Sequence, residues 1–185
     1  MGKEESMPEI TPSDETGRVA KTTQSARIDV TKIAPEAYQA MAGIGHYVRR
    51  SGLEESLLNL IYMRSSQING CAYCIDMHSK DARAAGETEQ RLYALDAWRE
   101  TRFYTERERA ALAWTEAVTL VSQGHVADQV YAVARSQFSE KEIVDLTLAV
   151  VEINSWNRIA IRLRAVPGTY QPVPHAKAAG APPAR

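Results

Sequence analysis

Through the middle of the chain, apolar residues recur every three or four positions, and no stretch alternates with period two between turn signals. Pro35 suits a first helical turn, and Tyr38, Met41, Ile44 and Val48 follow on one face until Gly52 breaks the pattern. Leu57, Leu58, Leu60, Ile61 and Ile68 predict a second helix with a broad apolar stripe, stopped by Asn69-Gly70. A third is predicted from the cysteines to Gly86, and a short fourth from a Thr88 cap through Leu92, Leu95 and Trp98. Thr105-Glu106-Arg107-Glu108 and Ser139-Glu140-Lys141-Glu142 both have the form of a capping box. The first opens a helix through Leu112, Val118 and Leu120. The second opens a long apolar helix from Ile143 to about Arg164, closed by Pro167-Gly168, and a further segment lies between them at about 127–137. The fold class predicted is all-α.

Both ends of the chain lack such a face. Residues 1–26 are rich in Lys, Glu, Ser, Thr and Pro, and residues 171–185 are rich in Pro and Ala. Neither buries enough apolar surface to offset the entropy of ordering, so a flexible arm and a flexible tail are expected around a helical domain at 27–170. With 185 residues, 44% hydrophobic and 24% charged, the chain suits one globular domain. The formal net charge of -1 supplies no field for nucleic acid or an anionic membrane. No apolar run approaches the roughly 18 residues that span a bilayer, and the N-terminus lacks the form of a secretory signal. A cytoplasmic protein is expected, in which two cysteines point to catalysis or metal binding before a structural bridge.

Those cysteines stand in Gly70-Cys71-Ala72-Tyr73-Cys74-Ile75-Asp76-Met77-His78. On a helix, Cys71, Cys74 and His78 share one face. The cysteines fall at the helix start, where unpaired N–H groups favour a thiolate, and His78 lies one turn beyond Cys74 to exchange a proton. Three readings fit: inert buried thiols, three ligands of a zinc site, or a redox dithiol. No second Cys-x-x-Cys exists, and His46, His125 and His175 form no ligand-like pair. Haem attachment fails on Ile75, and a thioredoxin fold fails for want of strands.

The run Ser66-Gln67-Ile68-Asn69-Gly70-Cys71-Ala72-Tyr73-Cys74-Ile75-Asp76-Met77-His78 resembles the signature of the carboxymuconolactone decarboxylase-like superfamily, in its alkylhydroperoxidase AhpD-type branch. The similarity continues through Arg91–Leu95, Glu108–Trp114 and Ile153–Arg158, and so covers about 27–168. The resemblance implies an AhpD-like orthogonal bundle of about six to seven helices and a thiol-dependent peroxidase in antioxidant defence. It places peroxide attack on Cys74, resolution as a disulfide on Cys71, and a proton relay through His78. It implies no metal or bound cofactor. It further implies a hydroperoxide as substrate, an external dithiol (a lipoyl-bearing or thioredoxin-like protein) as reductant, and a homo-oligomer, trimer or hexamer, as the assembly. The same superfamily contains a carboxymuconolactone decarboxylase, a lyase that does not need paired cysteines. A non-catalytic redox sensor is the remaining alternative.

One position departs from the family. Its relay uses a glutamate on the preceding helix, and the residue at that relay position here is Asn59, which cannot take up a proton near neutral pH. Tyr73 stands where some members carry a second histidine. Glu54 and Glu55 lie about a turn earlier and read as surface carboxylates. Trp98, Trp114 and Trp156 read as core or subunit contacts, His46 and His125 as solvated groups, and Asn154, Asn157 and Arg158 as buried hydrogen bonding on the last helix.

Overall fold

Two of the helix starts close on themselves as their sequences predict. Thr105 accepts from the Glu108 N–H while the Glu108 carboxylate accepts from the Thr105 N–H, and Ser139 and Glu142 repeat the exchange. In the computed structural model, residues 25–172 are described, so most of the predicted arm and tail lies outside the described residues. Within them the chain forms α1 (Val30–Ile33), α2 (Pro35–Val48), α3 (Glu55–Asn69), α4 (Ala72–Ala84) and α5 (Glu89–Ala94). A 3₁₀ helix (Leu95–Glu100) follows, then α6 (Glu106–Thr119), α7 (Val121–Gly124), α8 (Asp128–Gln137) and α9 (Glu140–Leu163). The described residues are all-helical, in an AhpD-like arrangement.

The short helices α1 and α7 add to the predicted set, and the fourth predicted helix divides. Leu92, Leu95 and Trp98 are all buried, with Leu92 on α5 and the other two on 3₁₀ turns that bend at Ala97 (φ -107°, ψ 29°). The chain therefore tightens after Ala94 and keeps all three in the core.

Helix α3 is the axle of the fold, packed by α4, α6 and α9. This is why its apolar stripe is so broad: Leu57, Leu58, Leu60, Ile61, Tyr62 and Met63 are all buried. Leu58, Ile61 and Tyr62 join α6 and α9 in one cluster, while Leu60 and Met63 join Leu92, Leu95, Trp98 and Leu112 in another. Both ends of the described chain return to the bundle. The Arg27 N–H donates to the Leu163 carbonyl, and beyond α9 the Gly168 N–H donates to Asp76 and the Tyr170 hydroxyl to Asp81, both on α4. Among the described residues no helix is long and apolar enough to cross a membrane.

Candidate active site

The dithiol is placed by the way α3 ends. Gly70 adopts φ 66°, a left-handed conformation that glycine reaches at little cost, and its N–H returns to the Gln67 carbonyl. The Cys71 N–H returns to Ser66 in the same turn. Asn69 fixes this turn to α9, its side-chain amide donating to Asn154 at 3.0 Å and to Asn157 at 2.8 Å, while Asn157 donates to Ser66 Oγ at 3.1 Å.

Cys71 consequently stands at the helix start, as its place after Asn69-Gly70 predicts, and serves there as the cap of α4. Its backbone is extended, and its sulfur accepts the Cys74 N–H at 3.3 Å. Cys71 and Cys74 are joined as a disulfide with their Cα atoms 5.3 Å apart. A capping N–H aimed at Cys71 Sγ stabilises negative charge there when the bridge is open.

The two sulfurs differ in access. A cavity of about 450 Å³ lies between α2, α4 and α9, roofed by residues 26–31, and Cys74 is among its lining residues while Cys71 is not. Tyr38, Tyr73, Met77, Ile153 and Trp156 give it an apolar, aromatic wall. His78, Arg49, Tyr62 and Glu152 are its polar groups of interest. A larger groove of about 790 Å³, lined by Gln67, Lys80 and Arg83 among others, holds neither cysteine.

His78 is buried, its Nε2 has no hydrogen-bond partner, and its ring packs against Tyr62 with centroids 5.1 Å apart. Burial, and then the nearby charge of Arg49, push its pKa down to about 4. The imidazole is therefore neutral near pH 7, open to accept a proton but holding one at a cost of about 3 kcal/mol. Tyr62 donates to Glu152 at 2.9 Å. Burial raises the Glu152 pKa, opposed by the Tyr62 hydroxyl, the Arg49 charge, Trp156 and His46. Room for that carboxyl exists because residue 45 is glycine: a Cβ there would collide with Glu152 Oε1 and lie 3.0 Å from its Cδ.

The structure thus brings Cys71, Cys74 and His78 together. Asn59 is buried on α3, one turn before Tyr62, and is not among the cavity-lining residues. Glu54 pairs with Arg107 at 2.9 Å, away from the cavity. Trp98 and Trp114 are core residues, but Trp156 lines the cavity against Tyr38 with centroids 5.1 Å apart. Sequence reasoning missed Glu152, Tyr62 and Gly45. The available signal was a carboxylate inside the apolar run of α9, on a face shared with buried Ala149 and Ile153. Among the described residues no cluster of three or more His, Cys, Asp or Glu gathers as a metal site.

An all-helical bundle carrying a Cys-x-x-Cys disulfide at a helix start, with a histidine one turn on, defines the class of protein. The chain belongs to the carboxymuconolactone decarboxylase family, whose profile matches residues 35–117. It is 45% identical over 139 residues to the uncharacterized protein YdfG of Bacillus subtilis, covering 75% of this chain and 95% of that one. A protein of unknown function from Agrobacterium tumefaciens, described as an AhpD antioxidant defence protein, superposes with a TM-score of 0.76 at 42% identity. That match covers 79% of this chain and all of the other. The debrominase Bmp8 shares the fold, with a TM-score of 0.66 at 23% identity over 73% of each chain.

Proposed function

We propose that the protein is a thiol-dependent peroxidase that cycles Cys71 and Cys74 between dithiol and disulfide. The observation that carries this reading is the asymmetry of the bridge: Cys74 opens onto an apolar cavity beside a neutral, unpartnered imidazole, while Cys71 is held behind it as a helix cap. In the forward half, the Cys74 sulfur attacks a hydroperoxide, releases the alcohol and becomes a sulfenic acid; the Cys71 thiol then attacks the Cys74 sulfur, whose hydroxyl leaves as water as the disulfide closes. In the return half, one thiol of an external dithiol attacks Cys74, the reachable sulfur, and Cys71 leaves as a thiolate stabilised by the Cys74 N–H; the donor's second thiol then attacks its own sulfur in the mixed disulfide and frees Cys74, the donor leaving as a disulfide. The cavity admits a substrate with an apolar body. A lipoyl-bearing or thioredoxin-like protein fits the reductant's role, the setting is the cytoplasm, and the working unit is a homo-oligomer.

The test is peroxide consumption with dihydrolipoamide as donor. Cys74→Ser is expected to abolish turnover. Cys71→Ser is expected to form a sulfenic acid on Cys74 once and stop. Turnover that survives Cys74→Ser would sink the reading.

A further inference from the structure

Two carboxyls line the cavity beside Cys74: Asp29 is exposed and held by Thr31 and Lys32, and Glu152 is the buried one, which the thiol cycle has not used. Glu152 is 5% exposed, on the stretch of α9 that also supplies Ile153 and Trp156 to the cavity wall. A buried carboxylate is costly, and one kept only for shape and for its bond with Tyr62 would be served as well by glutamine, with no charge to desolvate. The fold nevertheless clears space for it. Gly45 lies inside α2 without a left-handed backbone, so its missing side chain serves space rather than conformation, and the atom it makes room for is Glu152 Oε1.

We propose that Glu152 is the proton-exchanging carboxyl of the dithiol cavity, taking the Cys74 thiol proton during attack and returning it to the departing alkoxide. This rests on the peroxidase reading. The step balances within the site. The Cys74 sulfur attacks the distal peroxide oxygen as its proton passes to Glu152. An S–O bond forms, the O–O bond breaks with its electron pair on the leaving oxygen, and Glu152 protonates that oxygen. Thiol plus hydroperoxide become sulfenic acid plus alcohol, the sulfur oxidised and the peroxide reduced, with no proton drawn from bulk water.

The groups around the carboxyl suit such exchange. Tyr62 from α3 holds Oε2, His46 acts on it from α2 and Arg49 from the cap that ends α2, Trp156 from α9 itself, and His78 of α4 shares the cavity and packs against the Tyr62 ring. Burial raises the carboxyl pKa above its ordinary 4.5 and lowers that of His78 to about 4, so the carboxylate and not the imidazole is the stronger base of the two. Glu152 lines the cavity, where Asn59 does not reach, and supplies the ionisable group that Asn59 lacks.

The experiment compares the full-length protein with Glu152→Gln and Gly45→Ala. Turnover of cumene hydroperoxide with dihydrolipoamide is followed across pH 5–9. Iodoacetamide alkylation of Cys74 is followed over the same range in the reduced Cys71→Ser protein, with and without Glu152→Gln. Glu152→Gln is expected to lower kcat by about tenfold or more, to remove one ionisation from the acid limb, and to lower the Cys74 alkylation midpoint. Its melting temperature at pH 8 should equal or exceed that of the parent, because a desolvated charge is gone. Gly45→Ala should also lose rate, with Glu152 chemically intact but displaced. A parental rate and pH profile in Glu152→Gln would overturn the proposal, as would lost rate accompanied by a collapsed melting temperature. If the parent consumes no cumene hydroperoxide, the peroxidase reading fails separately, and the alkylation midpoint still decides: shifted, Glu152 shares a proton with Cys74; unshifted, it does not.

Discussion

His78 links the chemistry of the site to the stability of the fold. Its folded pKa of about 4 lies below the ordinary 6.5, so the unfolded chain binds the proton more readily. Its contribution to stability is therefore complete above pH 6.5 and is lost as pH falls through 6.5 towards 4. Between pH 7 and 5, the parent should lose about 2 kcal/mol relative to His78→Gln in urea unfolding. Glu142 acts in a separate window. Its capping hydrogen bonds from Ser139 and the Arg107 guanidinium hold its pKa down to about 2 from 4.5, so its contribution fades only below pH 4.5. Equal pH dependence in parent and His78→Gln would contradict the burial argument.

Between elements, the dithiol's position depends on the amides that join the end of α3 to α9. Asn157 is fully buried and is held between Asn69 and Ser66. Asn157→Ala removes one of the two acceptors of the Asn69 amide and the donor to Ser66, and should cost about 2 kcal/mol in denaturant unfolding, whereas Asn157→Asp should be worse because it adds a desolvated charge. A neutral result for Asn157→Ala would show that water replaces the amide. Much of this level is legible in sequence, for particular reasons. Thr105 and Ser139 sit three residues before a glutamate, and a capping box is a local device that needs no knowledge of the fold. Asn69-Gly70 is equally local. The 3₁₀ turn was hidden because a spacing of three over two steps is also compatible with an α-helix. The cap role of Cys71 was hidden because it depends on where α4 begins to within one residue. Glu152 escaped for a different reason: its meaning comes from Gly45 and Tyr62, which are 107 and 90 positions away.

At the scale of the whole molecule, several apolar side chains of the described residues lie exposed on the outer faces of α7 and α9. Val144 and Val151 on α9 are exposed and one heptad apart, and Val121 joins Val151 around a shallow groove with Val118, Asn154 and Arg158. Association through this stripe would cover it, and closed symmetry would do so without leaving a sticky edge. Light scattering at micromolar concentration should give a multiple of 20.5 kDa, and Val151→Arg should lower it. A 20.5 kDa particle with full activity would contradict the assembly. The claim on which everything else depends is that peroxide oxidises this dithiol through Cys74. Its most direct measurement is the mass and free-thiol content of the reduced protein after one equivalent of cumene hydroperoxide. Loss of both thiols and of two hydrogens is expected in the parent, with a single added oxygen on Cys74 in Cys71→Ser and no change in Cys74→Ser. Both thiols persisting in the parent, or oxygen appearing on Cys71 in Cys74→Ser, would contradict it.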